Sequence, residues 1–83
     1  MANITVYSTT TCAYCKMLKG YLQSKDIAFE DKLADLEPKY AHELYEQSGQ
    51  LGVPFTIIKN DDGSEEKVLG FDRSRIDTAL GIA

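Results

Sequence analysis

Two cysteines, Cys12 and Cys15, stand where a β-forming run hands over to a helix, and this junction constrains the fold more than any other feature of the sequence. Asn3 to Tyr7 reads as a short strand. The polar loop Ser8-Thr9-Thr10-Thr11 that follows is a helix-start signal, with Thr11 as the expected N-cap. From Cys12 to Lys25 the apolar residues Met17, Leu18, Tyr21 and Leu22 recur at helical spacing. Gly20 inside that run costs about 1 kcal/mol relative to alanine, which the amphipathic stripe outweighs.

The rest of the chain repeats the alternation once and then changes it. Ile27, Phe29 and Leu33 alternate with polar residues and predict a second strand; Pro38 opens an amphipathic run with Tyr40, Ala41, Leu44 and Tyr45, which Ser48-Gly49 closes. Phe55–Lys59 and Glu65–Leu69 are two strands around Asn60-Asp61-Asp62-Gly63, a sequence suited to an antiparallel hairpin. A last helix follows, with Asp72 as N-cap, Phe71 and Ile76 spaced as a hydrophobic staple, Ile76, Ala79 and Leu80 as its apolar stripe, and Gly81 at its end. The order is βαβ-ββα. Parallel pairing of the first two strands through a right-handed crossover makes this an α/β chain with a four-stranded mixed sheet and three helices. The Cys pair then lies at a strand-to-helix junction, the usual place for chemistry in such sheets.

Length and charge narrow the partners. An 83-residue chain with 43% hydrophobic residues supports one domain over residues 1–83. A domain of that size buries roughly 60–65% of its unfolded surface, enough for two packed layers without staples, so the cysteines are free for other work. Thirteen acidic residues against nine basic give a net charge of −4 with no basic stripe, which disfavours nucleic acid and anionic membranes as partners. Met1 to Tyr7 lacks a signal-peptide pattern and no apolar run is long enough to span a bilayer, so the expected location is the cytoplasm. In that reducing compartment a close cysteine pair points to redox or metal chemistry rather than a structural bridge. A structural zinc needs four ligands, and Cys12, Cys15 and the lone His42 supply too few within one chain; no metal is expected.

At the start of the first helix, Cys12 would face unsatisfied N–H groups and the positive end of the dipole, while Cys15 lies one turn further in. A free thiol with a pKa of about 8.5 supplies only a few per cent of the reactive thiolate at neutral pH. The dipole contributes about 0.3–2 kcal/mol against about 1.4 kcal/mol per pKa unit, so hydrogen bonds must add to it. The expected donors are the N–H and thiol of Cys15 and the Thr10 or Thr11 hydroxyls, with Lys16 adding a screened charge. The expected chemistry is attack by Cys12 on a substrate disulfide, followed by attack of Cys15 on the resulting mixed disulfide.

Val6-Tyr7-Ser8 leading into Cys12-Ala13-Tyr14-Cys15, the loop Gly52-Val53-Pro54, and the turn Gly70-Phe71-Asp72 together resemble the glutaredoxin family, in order and over nearly the whole chain. The resemblance implies a thioredoxin-like fold and a dithiol oxidoreductase that reduces protein or glutathione mixed disulfides. It implies a cis Pro54 packed against the cysteine pair and a Val53 backbone that pairs with an extended substrate as an added strand would. Tyr14 and Gln50 would line a glutathione groove. The turn at Gly70, Phe71 and Asp72 would hold the γ-glutamyl carboxylate at a helix N-terminus, and Asp72 could also meet its ammonium.

Ala13 stands where the family motif has proline, Thr9 to Thr11 offer no cation just before Cys12, Gly52 stands where the family has threonine, and Leu69 and Arg73 depart from its Gly-Gly and Asp-Asp turn. The segment Ser48–Pro54 and the Gly-Phe step are also similar to small glutaredoxin-like redoxins, some of which take electrons from thioredoxin reductase. The expected reductant is glutathione, not tightly bound, with thioredoxin reductase as the alternative and a monomer as the working form. A glutathione-dependent iron–sulfur carrier dimer built on Cys12, and a zinc-bridged dimer using both cysteines of each chain, are the other readings. Thioredoxin itself is disfavoured because the chain lacks a Trp-Cys-Gly-Pro-Cys motif and any tryptophan, and its first strand carries no acidic residue.

Overall fold

The computed structural model describes residues 3–81. Seven elements follow in order: β1 (Asn3–Ser8), α1 (Ala13–Ser24), β2 (Glu30–Leu33), α2 (Pro38–Ser48), β3 (Phe55–Lys59), β4 (Glu65–Leu69) and α3 (Arg73–Leu80). The strands form one mixed sheet in the order β2-β1-β3-β4, with β1 parallel to β2 and antiparallel to β3, and β3 antiparallel to β4.

Strand alternation sorts the core onto two faces. Ile4 and Val6 of β1, Ile58 of β3 and Val68 of β4 join Leu18 and Leu22 of α1 and Ile76 of α3 in one cluster. Tyr7, Phe55 and Ile57 turn the other way and meet Leu44 of α2. Helices α1 and α3 therefore cover one face and α2 the other. The central strand β3 is buried on both sides from Phe55 to Ile58, which is why its apolar residues fall on both faces, with Thr56 the one polar side chain among them.

The ends of the elements follow local chemistry. Pro38 sits in the first turn of α2, and Gly49 ends that helix in the left-handed region at φ 76°, a conformation glycine adopts without penalty. Asp72 caps α3 by accepting the Arg75 N–H at 3.2 Å. Phe71, just outside, packs against the cluster that holds Ile76.

Three expectations are corrected. Strand β2 begins at Glu30, so Ile27 and Phe29 lie before it and pack against the α1/α3 core from the connecting segment instead. Met17, expected on the buried stripe of α1, is 54% exposed, and Cys15 takes that face with Leu18 and Leu22. The N-cap of α1 is Cys12 rather than Thr11. The cap position is claimed by the residue whose side-chain acceptor reaches back to the N3 amide, and a cysteine sulfur does this here.

Candidate active site

The junction between β1 and α1 places the two cysteines. Cys12 has extended backbone angles and its Sγ accepts the Cys15 N–H at 3.1 Å. A sulfur at this cap position takes up one of the orphan amides of the helix and lies at the positive end of its dipole. Cys15, one turn on, is fully buried. Both cysteines are free thiols.

Burial pushes the Cys15 thiol up to about 12, with its hydrogen bond to Cys12 and the proximity of that second sulfur adding to the rise; the Thr9 backbone amide and the Lys19 ammonium oppose it. The thiols thus occupy unlike environments, one capping a helix at the surface and one enclosed behind it. Of the expected donors to Cys12, the Cys15 N–H takes the role. The Thr10 hydroxyl does not: with the Thr10 N–H it donates to Asp35 Oδ2, at 2.5 and 3.0 Å. These bonds hold the Asp35 carboxyl below the usual carboxylate range and tie the loop before α1 to the turn between β2 and α2.

Val53–Pro54 is a cis peptide bond, and Pro54 is fully buried. The Pro54 carbonyl accepts the Gly70 N–H at 2.7 Å, which joins the loop before β3 to the turn before α3. Gly70 has φ 77°, a value that disfavours any side chain. Tyr14 is 64% exposed, Val53 is half-buried against the α2 cluster, and Gln50 is exposed with its side chain folded close to Gly52. Phe71 stacks at a tilt against Tyr21, and Arg73 lies over the same ring, 4.7 Å from its centre. Arg73 therefore spends its guanidinium face on α1. His42 is exposed and pairs with Glu46 one turn along α2.

Sequence reasoning missed the groups behind Cys15, namely Thr9, Ser8, Asp31 and Lys19. The i,i+4 spacing of Cys15 and Lys19 was the one signal available for any of them.

A thioredoxin-like sheet with a paired dithiol at the mouth of its first helix defines a thiol–disulfide oxidoreductase. The Glutaredoxin family model matches residues 4–62. A glutaredoxin-like 8.6 kDa protein of the rubredoxin operon of Clostridium pasteurianum, itself uncharacterized, is 40% identical over 77 residues, 93% of this chain and 96% of that one. Glutaredoxin 3 of Escherichia coli is 35% identical over 58 residues, 70% of each chain. The fold matches the crystal structure of a glutaredoxin from Archaeoglobus fulgidus with a TM-score of 0.79 at 22% identity, covering 96% of this chain and 87% of that one. The chain belongs to the glutaredoxin family.

No helix among the described residues is long and apolar enough to cross a membrane. Among those residues, no three His, Cys, Asp or Glu side chains are gathered where they could hold a metal ion.

Proposed function

We propose that the protein is a cytoplasmic dithiol reductase of protein and glutathione mixed disulfides, with Cys12 as nucleophile and Cys15 as resolving thiol. The observation that carries this assignment is the asymmetry of the pair: the Cys12 sulfur caps the N-terminus of α1, while Cys15 is enclosed and raised to about 12. Cys12 attacks the substrate disulfide, a bond forms between its sulfur and one substrate sulfur, and the other leaves as a thiol. The mixed disulfide then changes the second cysteine. Two of the lesser influences that raise Cys15, the hydrogen bond to Cys12 and the charge on that sulfur, weaken once Cys12 is bonded to substrate, while burial, the largest, stays. Cys15 becomes easier to ionise only when its attack is needed.

Alkylation mapping checks the assignment. A thiol at about 12 is ionised to about one part in 10⁵ at pH 7, so a limiting alkylating reagent at neutral pH should label Cys12 and spare Cys15. In protein whose Cys12 is still free, labelling of Cys15 should appear only as pH climbs towards its raised value. Preferential labelling of Cys15 at neutral pH would reverse the roles.

Glutathione is the reductant we favour. Exposed Tyr14 and Gln50, the Val53–Pro54 edge and the N-terminus of α3 at Asp72 offer the tripeptide an aromatic face, a side-chain amide, a backbone edge and free helix amides. The fit has a boundary, since one Asp72 oxygen already caps α3. Thioredoxin reductase is the second reading. It is favoured by Leu69, 49% exposed at the end of β4, and by exposed Leu51, which suit a protein surface better than a charged tripeptide.

The two are separated by turnover of a small mixed disulfide, once with glutathione, glutathione reductase and NADPH and once with thioredoxin reductase and NADPH. We expect turnover with glutathione and a glutathione adduct on Cys12 in the Cys15→Ser protein. The departure at Arg73 should weaken glutathione by less than about tenfold, because a lost exposed ion pair is worth under about 1 kcal/mol. Activity with thioredoxin reductase alone, and no adduct, would assign the other donor.

A further inference from the structure

A charged cluster behind the cysteines remains outside the mechanism above. Asp31 is the direct partner of Val6 in the parallel β1–β2 ladder, so its side chain leaves the sheet on the α1 face; Ser8, two residues beyond Val6, shares that face. Lys19 follows Cys15 by one helical turn, which brings both side chains to the same side of α1. The three groups close on one another. Ser8 Oγ donates to Asp31 Oδ1 at 2.6 Å, and Lys19 Nζ lies 2.9 Å from Asp31 Oδ2 and 3.4 Å from Ser8 Oγ. Ser8 is fully buried, and the next residue, Thr9, turns its backbone amide to the Cys15 sulfur. The ammonium is thus moored at the end of β1 beside the segment that faces the enclosed cysteine.

We propose that Lys19 is a positioning residue for the resolving step, its ammonium held by Ser8 and Asp31 so that it favours negative charge on the Cys15 sulfur. The inference rests on Cys15 being the resolving thiol. In that step Cys15 releases its proton to solvent and its sulfur forms a bond to Cys12 Sγ. The bond between Cys12 and the substrate sulfur breaks, and the electron pair leaves with the substrate thiolate, which takes up a proton. The dithiol is oxidised by two electrons and the substrate is reduced by the same two.

Cys12 and, more weakly, Lys19, both on α1 or its cap, act on Cys15; from the elements packed against Lys19, Asp31 of β2 and the Ser8 hydroxyl of β1 face it. With Cys12 tied up in the mixed disulfide, Lys19 is the charge left to act on Cys15. Asp31 offsets part of that field and, by holding the ammonium, fixes where it acts.

An activated aromatic disulfide that releases a coloured thiolate resolves the two steps in time: one equivalent appears when Cys12 attacks and a second when Cys15 resolves. The rate of the second release against pH reports the ionisation of Cys15 within the mixed disulfide. Lys19→Gln should raise the midpoint of that profile and slow the second release about threefold below it, the effect of about half a pKa unit for a partly screened charge. Lys19→Met, which keeps the apolar stem, should do the same, and Lys19→Arg should return the profile to that of the unaltered protein. Loosening of the fold cannot imitate this, because exposing Cys15 to water would lower its midpoint. An unchanged or lowered midpoint in both the Gln and Met proteins would overturn the role of Lys19 while leaving the resolving thiol in place. Failure of the unaltered protein to release any second equivalent would instead overturn the assignment of Cys15, and the inference with it.

Discussion

Cys12→Ser is expected to reduce disulfide reductase turnover on the order of 10³-fold or more, to the background of the assay, because a hydroxyl neither ionises nor attacks sulfur at neutral pH. The fold should survive the change. Serine is among the preferred N-cap residues, so it can take over the bond that the Cys12 sulfur accepts from the Cys15 N–H. The loss can then be read as chemistry. Cys15→Ser should behave differently: the first attack proceeds and the protein stalls with substrate bonded to Cys12, visible as added mass on the peptide that holds it. Turnover and intact mass measured on both variants check the pair of outcomes. Residual turnover in the Cys12→Ser protein, or an adduct on its Cys15, would show that the enclosed thiol can open the reaction and would reverse the assignment.

The largest effect on stability is expected at Ile58. It is the fourth of the five residues of β3, opposite Ile4 of β1, fully buried in the cluster shared with Leu18, Leu22 and Ile76. Truncation to alanine removes three carbons and leaves a cavity between the sheet and the α1/α3 layer, at a cost of about 2–5 kcal/mol. Total stabilities run at about 5–15 kcal/mol, and each kcal/mol moves the melting point of a domain this small by about 4–8 °C, so a fall of about 8–40 °C is expected. Met17→Ala is the comparison, since that side chain is 54% exposed, and its effect should stay within about 0.5 kcal/mol. Thermal unfolding of the reduced proteins decides it. Equal damage from both substitutions would mean that α1 buries a different face from the one described.

Much of this architecture is local in origin. The hairpin strands fall at Phe55–Lys59 and Glu65–Leu69 as their sequence pattern predicts, because the β-branched run of β3 meets a cluster of turn formers from which β4 returns. Pro38, Gly49, Asp72 and Gly81 mark helix ends for equally local reasons, a fixed φ, a left-handed φ or a side-chain oxygen within reach of an amide. Where local signals misled, a tertiary contact had intervened. Ile27 and Phe29 alternate like strand residues but are apolar because they pack on the core, and periodicity cannot tell packing from ladder pairing. Met17 fits the helical stripe, yet Cys15 fills that side of α1.

For the site, the chain by itself determined the two cysteines, their order, the helix that begins between them, and the proline and aspartate that recur in glutaredoxins; each is written within a few consecutive residues. Only the tertiary structure decided how those thiols differ. The enclosure of Cys15 depends on α1 lying against the sheet, and the Thr10–Asp35 link that holds the preceding loop joins residues 25 positions apart. The cluster of Ser8, Lys19 and Asp31 exists because the β1–β2 register turns Asp31 toward α1. A shift of one residue in that register would send the carboxylate to the opposite face, since side chains alternate along a strand. Pairing register and helix docking are non-local quantities, and with them goes the charge that surrounds the second cysteine.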